Sequence, residues 1–338
     1  MSTKLQWGVI GTGAIARCFA RGLMESRHGT LVAVGSRSRE AAETFARDFP
    51  AACHVGYEAL IADPGVQAVY ISTPHCLHAE WAIRAAEAGK HVLCEKPLAM
   101  NRDEALAAIE AARRHGVFLM EGFMYRCHPQ TRRLAELVRA RAVGELKLIR
   151  ATFSFCHPFD PRHRLFDPAL GGGGILDVGC YCVSLARLVA GAARGAAFDD
   201  PAEIKGTGVT GSTGVDEYAV ASLKFSGGIL AQIAAGVQLD LENNVRLVGT
   251  EGSILVPNPW TMNGREGGFS KILVFKGHIP EEIVIPCDRG LYALEADHVA
   301  EQIAEGQLES PLVSWEDSLG NMEVLDQWRR QVDGNAEI

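Results

Sequence analysis

No uninterrupted run of apolar residues in this sequence approaches the roughly 18 needed to span a bilayer. The opening stretch, Met1-Ser2-Thr3-Lys4-Leu5-Gln6-Trp7, has none of the apolar length of a signal peptide. No basic stripe is present, and the formal net charge is -8, so nucleic acid is not the expected partner. No Cys-x-x-Cys pair occurs. Cys180-x-Cys182 has the wrong gap for zinc or redox work and no second pair follows it. Low-complexity and heptad patterns are absent, as is any internal repeat. Together these absences exclude membrane, collagenous, coiled-coil and zinc-ribbon classes. They leave a cytoplasmic globular protein with no metal. The nine cysteines, among them Cys18, Cys94, Cys156 and Cys182 in apolar segments, read as buried reduced thiols.

At 338 residues the chain exceeds what one core usually supports, which predicts two domains. Up to about residue 124 the pattern alternates. Strands are expected at Leu5–Ile10, Thr30–Ser36, Ala68–Ser72, His91–Cys94 and Val117–Glu121. Amphipathic helices lie between them, as at Ala79–Ala88 and Arg102–His115. This rhythm implies a parallel sheet covered on both faces. Gly89 and Gly116 follow two of the helices, where a left-handed cap is wanted.

The rhythm then changes. A helix follows Pro129, a long strand is expected at Leu146–Phe155, and a Pro/Arg/Asp-rich loop runs from His157 to Pro168. Gly171 to Gly174 open a helix through Val189. Seven strands follow, from Glu203 to Ile285, with Gly227-Gly228 as a hairpin signal. Two helices, at about Leu291–Glu305 and Glu316–Gln331, end the pattern. Consecutive strands without intervening helices imply an α+β domain with a mostly antiparallel open sheet. The domains are accordingly placed at 1–124 and 125–338.

Gly11-Thr12-Gly13-Ala14-Ile15-Ala16 follows the first strand and opens a helix. The first glycine permits a tight turn and the second lets backbone approach a pyrophosphate. The small Ala16 allows close helix–strand packing. In this context the motif is the fingerprint of a Rossmann domain, with the pyrophosphate at the helix N-terminus. The second strand ends Gly35-Ser36-Arg37-Ser38-Arg39, without the carboxylate that would accept the ribose hydroxyl of NAD. Ser36 and Arg37 suit a 2′-phosphate, so NADP is favoured, with NAD possible. Cys94-Glu95-Lys96-Pro97 ends a strand of the same sheet, and ligands bind beyond the carboxyl ends of such strands. Lys96 is thereby a candidate acid/base or orienting group.

Thr73-Pro74 with His78, the Glu95-Lys96-Pro97 triplet and Leu176-Asp177-Val178-Gly179-Cys180-Tyr181 resemble the Gfo/Idh/MocA oxidoreductases. So does Glu316-Asp317-Ser318-Leu319-Gly320-Asn321, and the resemblance covers nearly the whole chain. It implies that Lys96 sits by the nicotinamide and the reacting hydroxyl. Thr73, Pro74, His75, His78, Glu95, Pro97 and Arg126 join the cofactor side of the site. Many members carry His where this chain has Tyr181. Tyrosine there, with Phe123-Met124-Tyr125-Arg126, looks most like the branch of dihydrodiol dehydrogenase and NADP-dependent D-xylose dehydrogenase. Histidine titrates at about 6.5 and tyrosine at about 10, so a tyrosine base calls for a nearby ammonium, which Lys96 would supply. Asp177, four residues before Tyr181 on the same helical face, orients Lys96 or binds a substrate hydroxyl.

Arg126, His157, Arg162, His163 and Arg164 are further candidates for sugar-hydroxyl or phosphate contacts. Phe153, Phe155 and Trp260 are candidates for an apolar wall. Apolar residues on both alternations, as in Val220-Ala221-Ser222-Leu223, predict an uncovered sheet face and a homo-oligomer, a dimer favoured. The expected function is an NAD(P)-dependent oxidoreductase moving a hydride between NADP and a hydroxyl-bearing carbon of a sugar or cyclic diol. The other class is a dinucleotide-binding sensor or scaffold without turnover.

A first test concerns the cofactor. Ser36→Asp is expected to repel a 2′-phosphate and weaken NADP binding. Titrations in which the native protein binds NAD more tightly than NADP would contradict the assignment.

Overall fold

A computed structural model describes residues 4–262, 268–277 and 279–334. In the first part of the chain, strands β1 (Leu5–Ile10), β2 (Gly29–Ser36), β3 (Ala52–Val55), β4 (Ala68–Ile71), β5 (His91–Glu95) and β6 (Leu119–Gly122) form one sheet. Helices α1 (Ala14–Glu25), α2 (Arg39–Asp48), α3 (Tyr57–Ile61), α4 (His78–Glu87) and α5 (Arg102–His115) lie between them in sequence. Every strand pair is parallel, in the order β3-β2-β1-β4-β5-β6. That is the doubly wound order of a Rossmann sheet, with its switch point between β1 and β4. β4 is buried at all four positions, as a strand covered on both faces should be. Gly116 closes α5 at φ 64°, the left-handed cap its position predicted. β3 was missed from sequence because it is an edge strand of only four residues, three of them exposed.

Beyond α6 (Pro129–Arg139), β7 (Leu146–Ser154) leads through the 157–168 loop to a π-helical turn, Ile175–Gly179, and then α7 (Cys180–Ala193). Strands β8 (Glu203–Thr210), β9 (Asp216–Lys224), β10 (Leu230–Gly236), β11 (Val245–Gly249), β12 (Gly252–Val256), β13 (Gly268–Phe275) and β14 (Glu281–Cys287) follow. The chain ends in α8 (Leu291–Ala304) and α9 (Trp315–Val332). The eight strands are ordered β14-β13-β12-β11-β7-β10-β9-β8 and pair antiparallel except for β7 with β10. The sheet is therefore mostly antiparallel, as expected. Gly227 and Gly228, both at positive φ, form the β9–β10 hairpin.

Residues alternate between the two faces of this sheet. Ala219, Ala221, Leu223, Ala231, Ile233 and Ala235 are buried, and α7 packs on this side of β7 and β10. On the other alternation Val209, Tyr218, Val220 and Leu230 are exposed. Residues 168–193, read helically, are long and apolar enough to cross a bilayer, because only Asp177 and Arg187 interrupt them. The apolar stretch is wholly buried inside the protein, where it serves as a core helix.

Backbone contacts group the chain into two units. One holds the chain through Cys127 together with Asp288–Ser318. The other is built mainly from the chain between His128 and Cys287 and from the chain beyond Leu319. The sequence division at 124/125 falls close to Cys127, but it assigned Asp288–Ser318 to the second domain. Periodicity locates a helix without saying which sheet it will cover. α8 packs on α1 so closely that a Cβ on Gly22 would lie 2.6 Å from the Tyr292 Cβ. Cys18, Cys94 and Cys182 are buried as expected; Cys156 is exposed, because the chain has left β7 by that point.

Candidate active site

The parallel sheet gathers the turns that follow β1, β2, β4 and β5 at one edge, since neighbouring strands run only about 4.8 Å apart. Gly11 turns there at φ 105°, and a Cβ on it would come within 3.0 Å of the Ser72 Oγ. Gly13 is the N-cap of α1 and donates no side chain to it. No acidic residue stands in the first turn, and a Cβ on Gly13 would meet nothing within 4 Å. The first N–H groups of α1 thus open onto free space, which is what an anionic pyrophosphate requires. Ala16, fully buried, lets the helix pack on the sheet. At the end of β2, Ser36 is buried with its hydroxyl accepting from the Ser38 N–H at 3.2 Å, while Arg37 is exposed. Ser38 in turn caps α2 by accepting from the Ala41 N–H.

The turn after β5 is held from three sides. The Tyr70 hydroxyl, buried in β4, donates to Glu95 Oε1 in a short hydrogen bond. Glu121 in β6 accepts from the Leu98 N–H at 3.0 Å. His78, fully buried, places Nδ1 2.7 Å from the Pro97 carbonyl oxygen and Nε2 2.9 Å from that of Thr73. It ties the turn after β4 to the turn after β5, and only an imidazolium donates to both oxygens. Lys96 lies between these anchors. The Thr73 hydroxyl is buried without a hydrogen-bond partner among the described residues, a polar group of the kind a bound cofactor satisfies. Glu295 of α8, 0% exposed, stands behind the turn. Burial raises its pKa well above the usual value, and the charge of Glu95 adds to the rise.

Arg126, after β6, is buried. Its guanidinium pairs with Asp317 at 3.0 Å and donates to the Leu312 carbonyl, tying the 312–317 segment to the sheet. Burial opposes its charge, but Asp317 and Tyr125 outweigh burial and hold the proton more firmly than usual.

In the second unit, Tyr181 and Asp177 are both buried. The Tyr181 ring meets Phe153 edge-on with centroids 5.1 Å apart and Trp260 at 5.8 Å. Phe153 and Trp260 stack on each other at 5.4 Å. The Trp260 indole N–H donates to the Thr152 carbonyl, fixing the group to β7. Phe155 instead packs against Leu165, Phe166, Val215 and Val237. Asp177 pairs with Arg164 at 3.1 Å. His157 and His163 stack at 4.2 Å, while Arg162 turns outward to Asp160. Burial, then His157 and Arg164, hold the His163 pKa below its usual value. The sequence placed Asp177 and Tyr181 on one face of an α-helix. The chain here is π-helical from Ile175 to Gly179, so i→i+5 bonding widens the turn between them.

Residues 5–123 match the Gfo/Idh/MocA oxidoreductase family with its NAD-binding Rossmann fold, and residues 131–255 match a C-terminal domain of the same family. The trans-1,2-dihydrobenzene-1,2-diol dehydrogenase of Danio rerio is 36% identical, with 97% of each chain covered. The chain belongs to the Gfo/Idh/MocA oxidoreductases. D-xylose 1-dehydrogenase (NADP(+)) 2 of Haloferax volcanii is 33% identical over 95% of each chain. A 3-ketoreductase from Actinomadura kijaniata, solved with NADP and TDP-benzene, shares the backbone at a TM-score of 0.86. It is 28% identical, with 98% of each chain covered. Other solved forms of that ketoreductase carry a substituted lysine or a substituted tyrosine.

The relatives include both enzymes of the branch that the motifs resembled. Membership of an oxidoreductase family also decides between the two classes left open, in favour of an enzyme. Four buried groups around the turns of this Gfo/Idh/MocA site, Tyr70, Glu121, Glu295 and Asp317, were not singled out from sequence. Tyr70 had a signal, a hydroxyl in an otherwise apolar central strand. Glu295 had one too, a carboxyl on the face of α8 shared with Leu291 and Val299. Asp317 had none beyond its family-like segment, because its partner Arg126 is distant in sequence.

The Arg126–Asp317 pair gives a stability test. Asp317→Ala removes the carboxylate from a buried guanidinium and is expected to cost about 3–5 kcal/mol in urea unfolding. A loss under about 1 kcal/mol would show that the pair does not anchor the segment.

Proposed function

We propose that this enzyme transfers a hydride between NADP and a hydroxyl-bearing carbon of a sugar or cyclic diol. The observation that carries the reading is the convergence at one sheet edge of the open α1 N-terminus, the Thr73–His78 turn and the Glu95–Pro97 turn. Relatives named for a diol and for D-xylose, and a ketoreductase solved with NADP, support the substrate and cofactor classes. Bound NADP supplies or accepts the hydride. The α1 N–H groups hold its pyrophosphate, and Arg37 with Ser36 reads the 2′-phosphate. Thr73, Pro74, His75, Glu95 and Pro97 frame the nicotinamide side, with His78 and Arg126 holding their turns from beneath.

Tyr181 takes the substrate's hydroxyl proton in oxidation and returns it in reduction. Lys96 favours the phenolate and stabilises developing oxyanion charge. Asp177, with Arg164, binds a substrate hydroxyl. Oxidation then rises with pH as the phenol ionises, and reduction is favoured at lower pH. The second unit binds substrate and also mediates self-association. Its exposed Val209, Tyr218, Val220 and Leu230 place apolar side chains among polar ones on one sheet face, which a second copy covers as a two-fold dimer. A cytoplasmic location suits the free thiols of Cys53, Cys94, Cys127, Cys156 and Cys182.

The test is NADPH absorbance with a panel of sugars and diols that includes D-xylose and trans-1,2-dihydrobenzene-1,2-diol. Tyr181→Phe is expected to lower turnover by about 10²–10⁴ with NADP affinity nearly intact. Lys96→Met should also disable turnover. The double variant should lose far less than the product of the two, because the pair acts as one unit. Near-native turnover in Tyr181→Phe would remove the tyrosine from the acid/base role, and silence across the panel would remove the substrate class. Light scattering at micromolar concentration checks the dimer, and a monomer would refute it.

A further inference from the structure

We propose that Asp216 is a positioning residue that caps, from a distant strand, the π-helical turn leading into Tyr181. The proposal rests on the reading of Asp177 and Tyr181 as substrate-facing groups.

Asp216 opens β9 and is buried. Its Oδ2 accepts the N–H of Ile175, the first residue of the π-helical turn, at 2.6 Å across a separation of 41 residues. A helix start leaves N–H groups without intrahelical acceptors, and a carboxylate there is favoured by the helix dipole. Gly174, at the N-cap position, has no side chain to supply that acceptor, so it comes from elsewhere in the fold. The glycine run is shaped around the carboxylate. Gly173 sits at φ 105°, and a Cβ on it would fall 2.2 Å from Asp216 Oδ1. On its other side the turn presses on β10, where a Cβ on Gly174 would lie 2.9 Å from the Gly236 Cα. The start of the turn is thus pinned between a carboxylate and a strand.

That pin is transmitted along the helix. The Asp177 N–H donates to the Gly173 carbonyl at 3.3 Å, and the Cys180 N–H donates to the Ile175 carbonyl. The Gly173 and Ile175 carbonyls, on the turn that Asp216 caps, therefore set where Asp177 begins and where the residue before Tyr181 is held. A side chain that fixes Ile175 fixes the approach of both candidate groups without touching substrate.

The charge on this cap is adjustable. Burial pushes the Asp216 pKa up to about 7, against the lowering by the Ile175 N–H and Arg329, while Asp333 adds to the rise. Above this value the ionised carboxylate makes a charge-assisted bond to the turn. Below it the carboxyl is neutral and the bond weakens. Proton uptake in the neutral range would then loosen the turn and with it the position of Tyr181.

The experiment uses the full-length chain with NADP bound and ¹⁵N-labelled isoleucine. The Ile175 amide shift is expected to titrate with a midpoint near 7 in the native protein and to stay flat in Asp216→Asn. On whichever of D-xylose or trans-1,2-dihydrobenzene-1,2-diol turns over, Asp216→Asn should lower kcat by about ten- to a hundredfold, with NADP affinity unchanged. The kcat profile should also lose its inflection near 7. Asp216→Ala, which removes the acceptor, should lose more. An Ile175 amide that does not titrate in the native protein, or an inflection near 7 retained in Asp216→Asn, would overturn the proposal. Because the amide titration needs no turnover, it separates this proposal from the assignment of Tyr181, which Tyr181→Phe tests by itself.

Discussion

Parallel pairing of β2, β1, β4 and β5 is the constraint on which the first unit's chemistry depends. Parallel neighbours point their carboxyl ends the same way. The loops that leave those ends are therefore brought together although they are up to sixty residues or more apart in sequence, as Gly11 and Thr73 are. Nothing in the fingerprint at Gly11–Ala16 would matter if β4 and β5 ran the other way. The hydrogen-bond register holds the arrangement: Ile10 lies opposite Ile71, and Ile71 opposite Cys94. The three turns that follow these residues leave the sheet at nearly one level.

Bringing turns together buries polar backbone, and the first unit answers with side chains. His78 bridges two carbonyls, Glu121 accepts the Leu98 N–H, and Tyr70 donates to Glu95. Each side chain comes from a neighbouring strand or helix, so the turn around Lys96 inherits the rigidity of the sheet rather than that of a surface loop. The second unit uses the same approach with different parts. There a carboxylate on β9 and an aromatic group on β7 hold the start of a helix that is otherwise a core element.

Much of this was legible in the sequence because the relevant signals are local. β1 and α5 were bounded correctly, since apolar periodicity, a cap and a glycine agree within a few residues. The seven later strands were found because each carries alternation and a turn. The fingerprint at Gly11–Ala16 and the triplet at Glu95–Pro97 are short, and their context supplied the rest. What stayed hidden was non-local or irregular. β3 is four residues long and sits at the sheet edge. The π-helical turn has the composition of an α-helix, and only the packing of Gly174 and Gly179 against β10 reveals it. Asp216 looks like any acidic residue at a strand start until Ile175 is placed beside it. Residues 288–318 could be recognised as helical, but their allegiance is a matter of which apolar surface lacks a cover.

That allegiance has a consequence for how the protein is made. A ribosome emits the Rossmann strands first, yet the unit they belong to also includes Asp288–Ser318. Until those residues emerge, the surface of α1 around Gly22 has no Tyr292 to pack against, and Arg126 has no Asp317. Domains that are contiguous in sequence can complete themselves in order during synthesis. Here the unit of the Rossmann strands waits for Asp288–Ser318 while most of the other unit is synthesised, and that other unit in turn waits for the chain beyond Leu319.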